Sequence, residues 1–302
     1  MALGENVIDL LAKLRIEGYI GRRPSVMEIG AQQLSNGFLR SADRLAPLGH
    51  LFGVVEPLPL PPPLPSYLIN GNLEHVNPAA PAARDFWLWL GFSYAAIDID
   101  GSPGSIPLDL NFDRVPPDKV DKYDLVTNFG TTEHVVNQLN AFKIIHDLTA
   151  LGGLMIHSLP SGGMPNHGLV NYNPKFFWML ARGNGYRFLQ MEFDQSPETY
   201  AFPSNIVEFL RSLDAKAADR VCDYEVVDAG MLVVMQKTFD IPYVAPIDVG
   251  TGTTTDIEPL RKRYWTVFQP NAFEGLLAQG RMSTARAPRR ARRQRRNNQP
   301  VS

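Results

Sequence analysis

The chain has 302 residues, of which 44% are hydrophobic and 20% charged, a globular composition far from that of disordered or fibrous proteins. Its single cysteine, Cys222, excludes an internal disulfide and a cysteine-rich zinc site. The formal net charge of −2 conceals an asymmetry: residues 281–302 carry eight of the 29 basic residues and no acid, which leaves 21 basic against 31 acidic residues in the remainder.

In chain order, the opening MALGENVIDLLAKLRIEGYI has no basic segment leading into a long apolar one, and no apolar run reaches the roughly 20 residues of a membrane span. A cytoplasmic protein with no membrane span is expected. Val7, Leu10, Leu11 and Leu14 recur at i, i+3, i+4 and i+7, one face of a helix in a lead-in segment over 1–24. Residues 25–30, SVMEIG, read as a buried parallel strand stopping at a tight turn. An insertion near 35–93 follows. It holds EPLPLPPPLP at 56–65, an extended polyproline segment that either docks on an SH3-like partner or, the preferred reading, runs as a stiff loop over the sheet edge. A helix over 80–90 with Trp87 and Leu90 inward leads to a strand, YAAID, at 94–98.

Further strands are predicted at 105–110 and at 123–128, YDLVTN. From 133 to 148, Val135, Leu139, Phe142, Ile145 and Leu148 keep a helical period, and Gly152-Gly153 should stop that helix. LMIHSL at 154–159 reads as a strand, and Asn173-Pro174 as the entry to a helix over 176–181. The last strands are predicted at 186–193 and 230–237. Strands alternating with helices predict an α/β fold, a mostly parallel seven-stranded sheet with helices on both faces, whose ligands bind at the carboxyl ends of the strands. The main domain spans 25–240, an extension 241–280, and a disordered arginine-rich tail 281–302.

Four residues end successive strands: Glu28, Asp98, Asp109 and Asn128. An acid ending the second strand can accept hydrogen bonds from both hydroxyls of a ribose. G-x-G-x-x-G is absent, which disfavours a nicotinamide dehydrogenase, and no spacing of the H-E-x-x-H kind indicates a metal.

In that order, VMEIG, YAAIDIDG, PLDLN, YDLVTNFGTTEH and, past the helix, GGLMIHSLP resemble the class I S-adenosylmethionine-dependent methyltransferases of small-molecule type. The resemblance covers about residues 26–160 and extends more loosely to 237. It implies a Rossmann-like methyltransferase fold and S-adenosyl-L-methionine as cofactor. Glu28 and Gly30 would meet the methionine part, Asp98 the ribose and Asp109 the adenine amino group. Asn128, Phe129 and Gly130 would form the floor near the methionine moiety, with Glu133 and His134 at the cofactor or substrate edge. The sequence departs from the family in two places. EIGAQQL lacks the further glycines usual in the first turn, and 68 residues separate Gly30 from Asp98 where about 20 is usual. Glu56, 26 residues after Gly30, is therefore a rival ribose ligand.

The polar loop SGGMPNHGLVNYNP at 161–174 should shape the acceptor pocket. His167 is a candidate general base, as is His134, and Asn171 and Tyr172 are candidate substrate contacts. The alternative for His134, His167 and Asn171 is that they only satisfy backbone groups of the loops. His157, within an apolar strand, reads as a hydrogen-bonded core residue. The resemblance is closest to members acting on small metabolites or sugars, which implies O-methylation of a small-molecule or sugar acceptor. The arginine tail is either simply solvated or makes weak, sequence-independent contact with RNA or another polyanion. That contact defines a second reading, a catalytically silent cofactor-binding scaffold.

Overall fold

The computed structural model describes residues 2–62, 67–69, 72–74, 80–102, 104–164, 167–202, 224–248 and 258–268. Cys222, the end of the polyproline segment at 63–65 and the arginine-rich stretch 281–302 lie outside the described residues.

The elements are β1 (Ala2–Leu3), α1 (Asn6–Ile16), β2 (Ser25–Ile29), β3 (Gln33–Leu34), α2 (Asn36–Arg40), α3 (Leu45–Phe52), β4 (Tyr67–Ile69), β5 (Asn72–Glu74), α4 (Ala83–Trp89) and β6 (Ser93–Asp98). They continue with β7 (Ser105–Pro107), β8 (Tyr123–Phe129), α5 (Gln138–Leu148), β9 (Thr149–Gly162), α6 (Pro174–Asn184), β10 (Arg187–Phe202), β11 (Tyr224–Gln236), α7 (Glu258–Arg263) and α8 (Trp265–Phe268). Seven strands form the main sheet in the order β10-β11-β9-β8-β2-β6-β7. Strands β7, β6, β2, β8 and β9 are mutually parallel, and β11 runs antiparallel between β9 and β10. This is a Rossmann-like α/β sheet. The chain builds outward from β2 to β6 and β7, then returns to the other side of β2 with β8, so the topological switch point lies between β2 and β8.

Period-two alternation divides the strand residues between two cores. Val26, Leu125, Ile156 and Val234 pack with Leu11 of α1, Phe38 of α2, Leu48 of α3 and Trp87 of α4. Their neighbours Met27, Val126, Met155 and Val233 pack on the opposite face with Phe142 and Ile145 of α5 and Phe177 and Leu180 of α6. With both faces covered, the strands are apolar almost throughout. The buried exceptions Glu28, Thr127, Asn128 and His157 lie toward the carboxyl ends of β2, β8 and β9. Burying such groups is costly unless they are hydrogen-bonded or functional.

Local signals set the helix ends. Ser35 caps α2 by accepting from Phe38 N–H, and Asn173 caps α6 with Pro174 in the first turn and Gly185 left-handed after the last. Three expectations differ from the structure. The helix predicted over 133–148 begins only at Gln138, because Asn137 caps α5 through its side chain and Val135 is extended, with φ −113° and ψ 127°. Leu139 consequently points to solvent. Gly152 and Gly153 do not stop the helix; they lie within β9, where a Cβ on Gly153 would sit 2.9 Å from the Tyr123 carbonyl oxygen. The strand expected over 105–110 ends at Pro107, because Asp109 and Asp113 fold the chain into a turn. Among the described residues no helix is long and apolar enough to cross a membrane.

Candidate active site

The carboxyl end of β2 is organised around Glu28. Its side chain is fully buried and accepts hydrogen bonds from Trp87 Nε1 at 2.7 Å, Tyr94 Oη at 2.8 Å and Gln32 N at 3.1 Å. Burial nevertheless outweighs these three donors and pushes the carboxyl up to about 7. Glu28 therefore holds the turn that follows it. In that turn Gly30 adopts φ 81° and donates to the Ile97 carbonyl at 2.8 Å. The absence of further glycines has a structural answer. Gln32 is 2% exposed and turns inward, its Nε2 donating to Gly30 O at 3.1 Å and reaching Thr131 Oγ1 at 3.4 Å.

Asp98 ends β6 directly beside this turn. Its Oδ2 accepts from Ala31 N at 2.9 Å and its Oδ1 from Asp100 N at 3.3 Å, which leaves lone pairs for further donors. Glu56 lies elsewhere: its carbonyl accepts from Trp89 Nε1 at 2.8 Å, at the C-terminal end of α4 and hence near the amino end of β6. Asp109 follows β7 and accepts from Asn111 N at 2.7 Å, and Asn137 and Asn140 tie the same turn to the start of α5.

Asn128 ends β8 and is fully buried. Its Nδ2 lies 2.8 Å from Thr132 Oγ1 and 3.2 Å from His157 Nδ1. His157 is thus the bonded core residue expected, and burial holds its imidazole down at about 3. Phe129 is packed into the core, and Gly130 turns the chain at φ 72° with its N–H on the Ser158 carbonyl. Thr131 Oγ1 then donates to Ile29 O, stitching this turn to the one after β2.

Glu133 is fully buried, whereas His134 and His167 are exposed. Glu133 Oε1 is 3.4 Å from His167 Nε2 and 3.9 Å from His134 Nε2. Burial lowers the His134 imidazole below its ordinary value, more than the Glu133 carboxylate raises it. Asn171 donates from Nδ2 to Gly163 O at 2.9 Å, a bond internal to the loop. Tyr172, expected among the substrate contacts, is 2% exposed, and its hydroxyl donates to Gln138 Oε1 at 2.6 Å and lies 2.8 Å from Thr132 Oγ1. It anchors the loop to α5 and presents no free group to an acceptor.

The structure therefore gathers Glu28, Gly30, Asp98, Asn128, Gly130, Glu133, His134 and His167 along neighbouring strand ends. It adds Trp87, Tyr94, Gln32, Thr131, Thr132 and Gln138, none of which sequence reasoning singled out for the site. Gln32 in EIGAQQL, Tyr94 at the head of YAAIDIDG and the threonine pair in FGTTEH lie within or beside the motif stretches, whereas nothing in the sequence tied Trp87 or Gln138 to the site.

Neither a protein-family model nor a curated protein matches the chain. Solved structures do resemble it at low identity. One is a Burkholderia thailandensis 1,6-didemethyltoxoflavin-N1-methyltransferase with bound 1,6-didemethyltoxoflavin and S-adenosylhomocysteine, at 12% identity and TM-score 0.38, covering 77% of this chain and 79% of the other. A SAM-dependent methyltransferase from Archaeoglobus fulgidus matches at 12% identity and TM-score 0.36 over 78% and 95% of the two chains. The 4+2 cyclase SpnF matches at 13% identity and TM-score 0.39 over 77% and 80%.

Proposed function

We propose that this chain is an S-adenosylmethionine-dependent methyltransferase that methylates an oxygen of a small molecule or sugar. The observation that carries the reading is the meeting of two turns at the switch point: Gly30 and Ala31 after β2 lie against Asp98 of β6, joined by the 2.9 Å bond from Ala31 N to Asp98 Oδ2, with Asn128 and Gly130 of β8 on the other side. A crevice with a glycine turn at one strand end and a carboxylate at the next suits an adenosine ligand with an amino-acid tail.

The residues present fit that cofactor. Gly30 and the inward-turned Gln32 would let the cofactor approach the backbone closely, Asp98 would accept from ribose hydroxyls, and Asp109 would serve the adenine end. S-adenosylmethionine supplies a methyl group already activated by its sulfonium charge. The main task of the protein is then orientation, for which roughly 7 to 11 kcal/mol is available. His167 and His134, on the rim beside Glu133, are placed to take the proton of an acceptor hydroxyl, a contribution of about 10²- to 10⁴-fold. In this reading residues 25–240 form the catalytic domain, and the arginine-rich 281–302 makes at most weak polyanion contacts.

Calorimetric titration with S-adenosylmethionine and S-adenosylhomocysteine tests the proposal. Micromolar binding is expected. Asp98→Ala should weaken it by about 10²-fold, the loss of charge-assisted hydrogen bonds worth about 1.5 to 3 kcal/mol each. A folded wild-type protein that binds neither compound refutes the reading.

A further inference from the structure

Glu133, His134 and His167 come together from two loops, and one ligand atom from each lies within 4.8 Å of the other two. The two Nε2 atoms approach the same oxygen, Glu133 Oε1, at 3.4 and 3.9 Å. Ligands about 2.0–2.1 Å from a tetrahedral ion are separated by roughly 3.3 Å. The Glu133–His167 edge therefore already has that length, and rotation of the two exposed imidazole rings brings in the other two edges, both within 4.8 Å. The geometry points to a divalent transition-metal site, held by Glu133 Oε1, His134 Nε2 and His167 Nε2.

Two further observations favour an ion there. Glu133 is fully buried, its Oε2 has no hydrogen-bond partner, and among the described residues its ion-pair partners are these two histidines alone. A buried carboxylate set only against imidazoles lacks the compensating charge that such a group needs. The site is also built. Leu169 N and Val170 N donate to the Glu133 carbonyl at 2.8 and 3.1 Å, clamping the His167 loop onto it. Gly168 is the residue that permits this approach, since a Cβ there would lie 2.8 Å from Glu133 Cγ. Two imidazoles and one carboxylate suit zinc, cobalt, manganese or iron rather than calcium or magnesium. Linear spacing gave no sign of the site because its third ligand belongs to a separate loop.

The role of the ion rests on the methyl-transfer reading: it would hold an acceptor hydroxyl and lower its pKa, the task otherwise left to the histidines. The site itself stands apart from that reading and is tested without cofactor. Full-length protein stripped by a chelator is titrated with Co²⁺, followed by calorimetry and visible absorption. One ion per chain is expected, with the absorption bands of a histidine-ligated ion. His167→Ala, at an exposed position, should weaken binding by at least about a hundredfold, as should Glu133→Gln, while His50→Gln on α3 leaves it unchanged. The His167 variant decides the matter, because Glu133 also packs in the core. No Co²⁺ bound by folded wild-type protein, or equal affinity in His167→Ala, overturns the proposal. S-adenosylhomocysteine titrations on the same samples separate the two readings: cofactor binding without Co²⁺ binding refutes the metal site alone, and Co²⁺ binding without cofactor binding upholds the site and refutes methyl transfer.

Discussion

Replacing Glu28 by Gln should remove a pH dependence of stability that the burial of this carboxyl creates. The native group titrates at about 7 against an ordinary value of 4.5, a difference worth about 3 kcal/mol at 1.36 kcal/mol per unit. Between those values the folded state holds a proton that the unfolded chain has released. The stabilising contribution is therefore complete below the unfolded value, declines as pH rises, and is gone above the folded one. His146 and His157 work in the opposite sense. Burial holds both at about 3, so they favour the native state above the unfolded histidine value and lose that contribution as pH falls. Total stability mixes these slopes, but the difference between wild type and Glu28→Gln isolates the carboxyl, because the histidines are common to both proteins. In urea titrations from about pH 5.5 to 8, the wild type should lose about 2 kcal/mol relative to the variant. The variant carries a constant handicap beneath this trend, since an amide cannot accept from Trp87, Tyr94 and Gln32 as two carboxylate oxygens do. A difference that stays flat across the range, or that grows in favour of the wild type at high pH, would refute the assignment of Glu28 as a buried acid with a raised pKa.

Other substitutions probe the clamp, the core and the tail. Gly168→Ala should force the His167 loop off Glu133, since the new Cβ would lie 3.1 Å from the Glu133 carbonyl oxygen as well as close to its side chain; a stability loss of about 1 to 3 kcal/mol with a fall in turnover is expected, read by urea titration and methyl-transfer rate. Lys237 is 2% exposed and donates from Nζ to Asp121 Oδ1 at 2.7 Å and to the carbonyls of His146 and Thr149 at 2.9 and 3.0 Å. Lys237→Met strands both carbonyls and should lower the unfolding free energy by about 2 to 4 kcal/mol, with cofactor affinity unchanged because the site is remote from the crevice. Truncation after Gly280 should leave methyl transfer to a small acceptor intact; a full-length chain without transfer activity whose salt-sensitive RNA retention is lost on truncation would favour the scaffold reading instead.

Much of the fold is legible in the sequence because its two cores obey simple periods. Val7, Leu10, Leu11 and Leu14 mark α1, Trp87 and Leu90 face inward as their spacing implies, and the apolar runs of β2, β6, β8 and β9 announce strands covered on both sides. Periodicity fails where a polar side chain overrides it. Val135 and Leu139 have the right spacing to extend α5 inward, but Asn137 takes the capping position, the helix starts at Gln138, Val135 is left outside it and Leu139 points to solvent. The last strand is legible at 230–237, but its antiparallel placement between β9 and β10 is not, since nothing local specifies which strands a terminal strand will separate.

The candidate site divides along the same line. Glu28, Asp98 and Asn128 can be found one at a time, because each simply ends a strand and parallel strands deliver their ends to one edge. The contact between Glu133 and His167 cannot, because it depends on a returning loop whose Leu169 and Val170 amides find the Glu133 carbonyl. Tyr172 fails for the same reason in reverse: its place in a polar loop suggests an acceptor contact, but the fold spends its hydroxyl on Gln138 and Thr132. Candidate residues placed by strand position are thus readable from order, and candidates placed by loop closure become readable only once the backbone hydrogen bonds that close the loop are known. In the proposed metal site Glu133 and His134 are neighbours in sequence, and it is His167 that loop closure brings in, which is why a variant that opens the loop, Gly168→Ala, should weaken the site without altering any ligand.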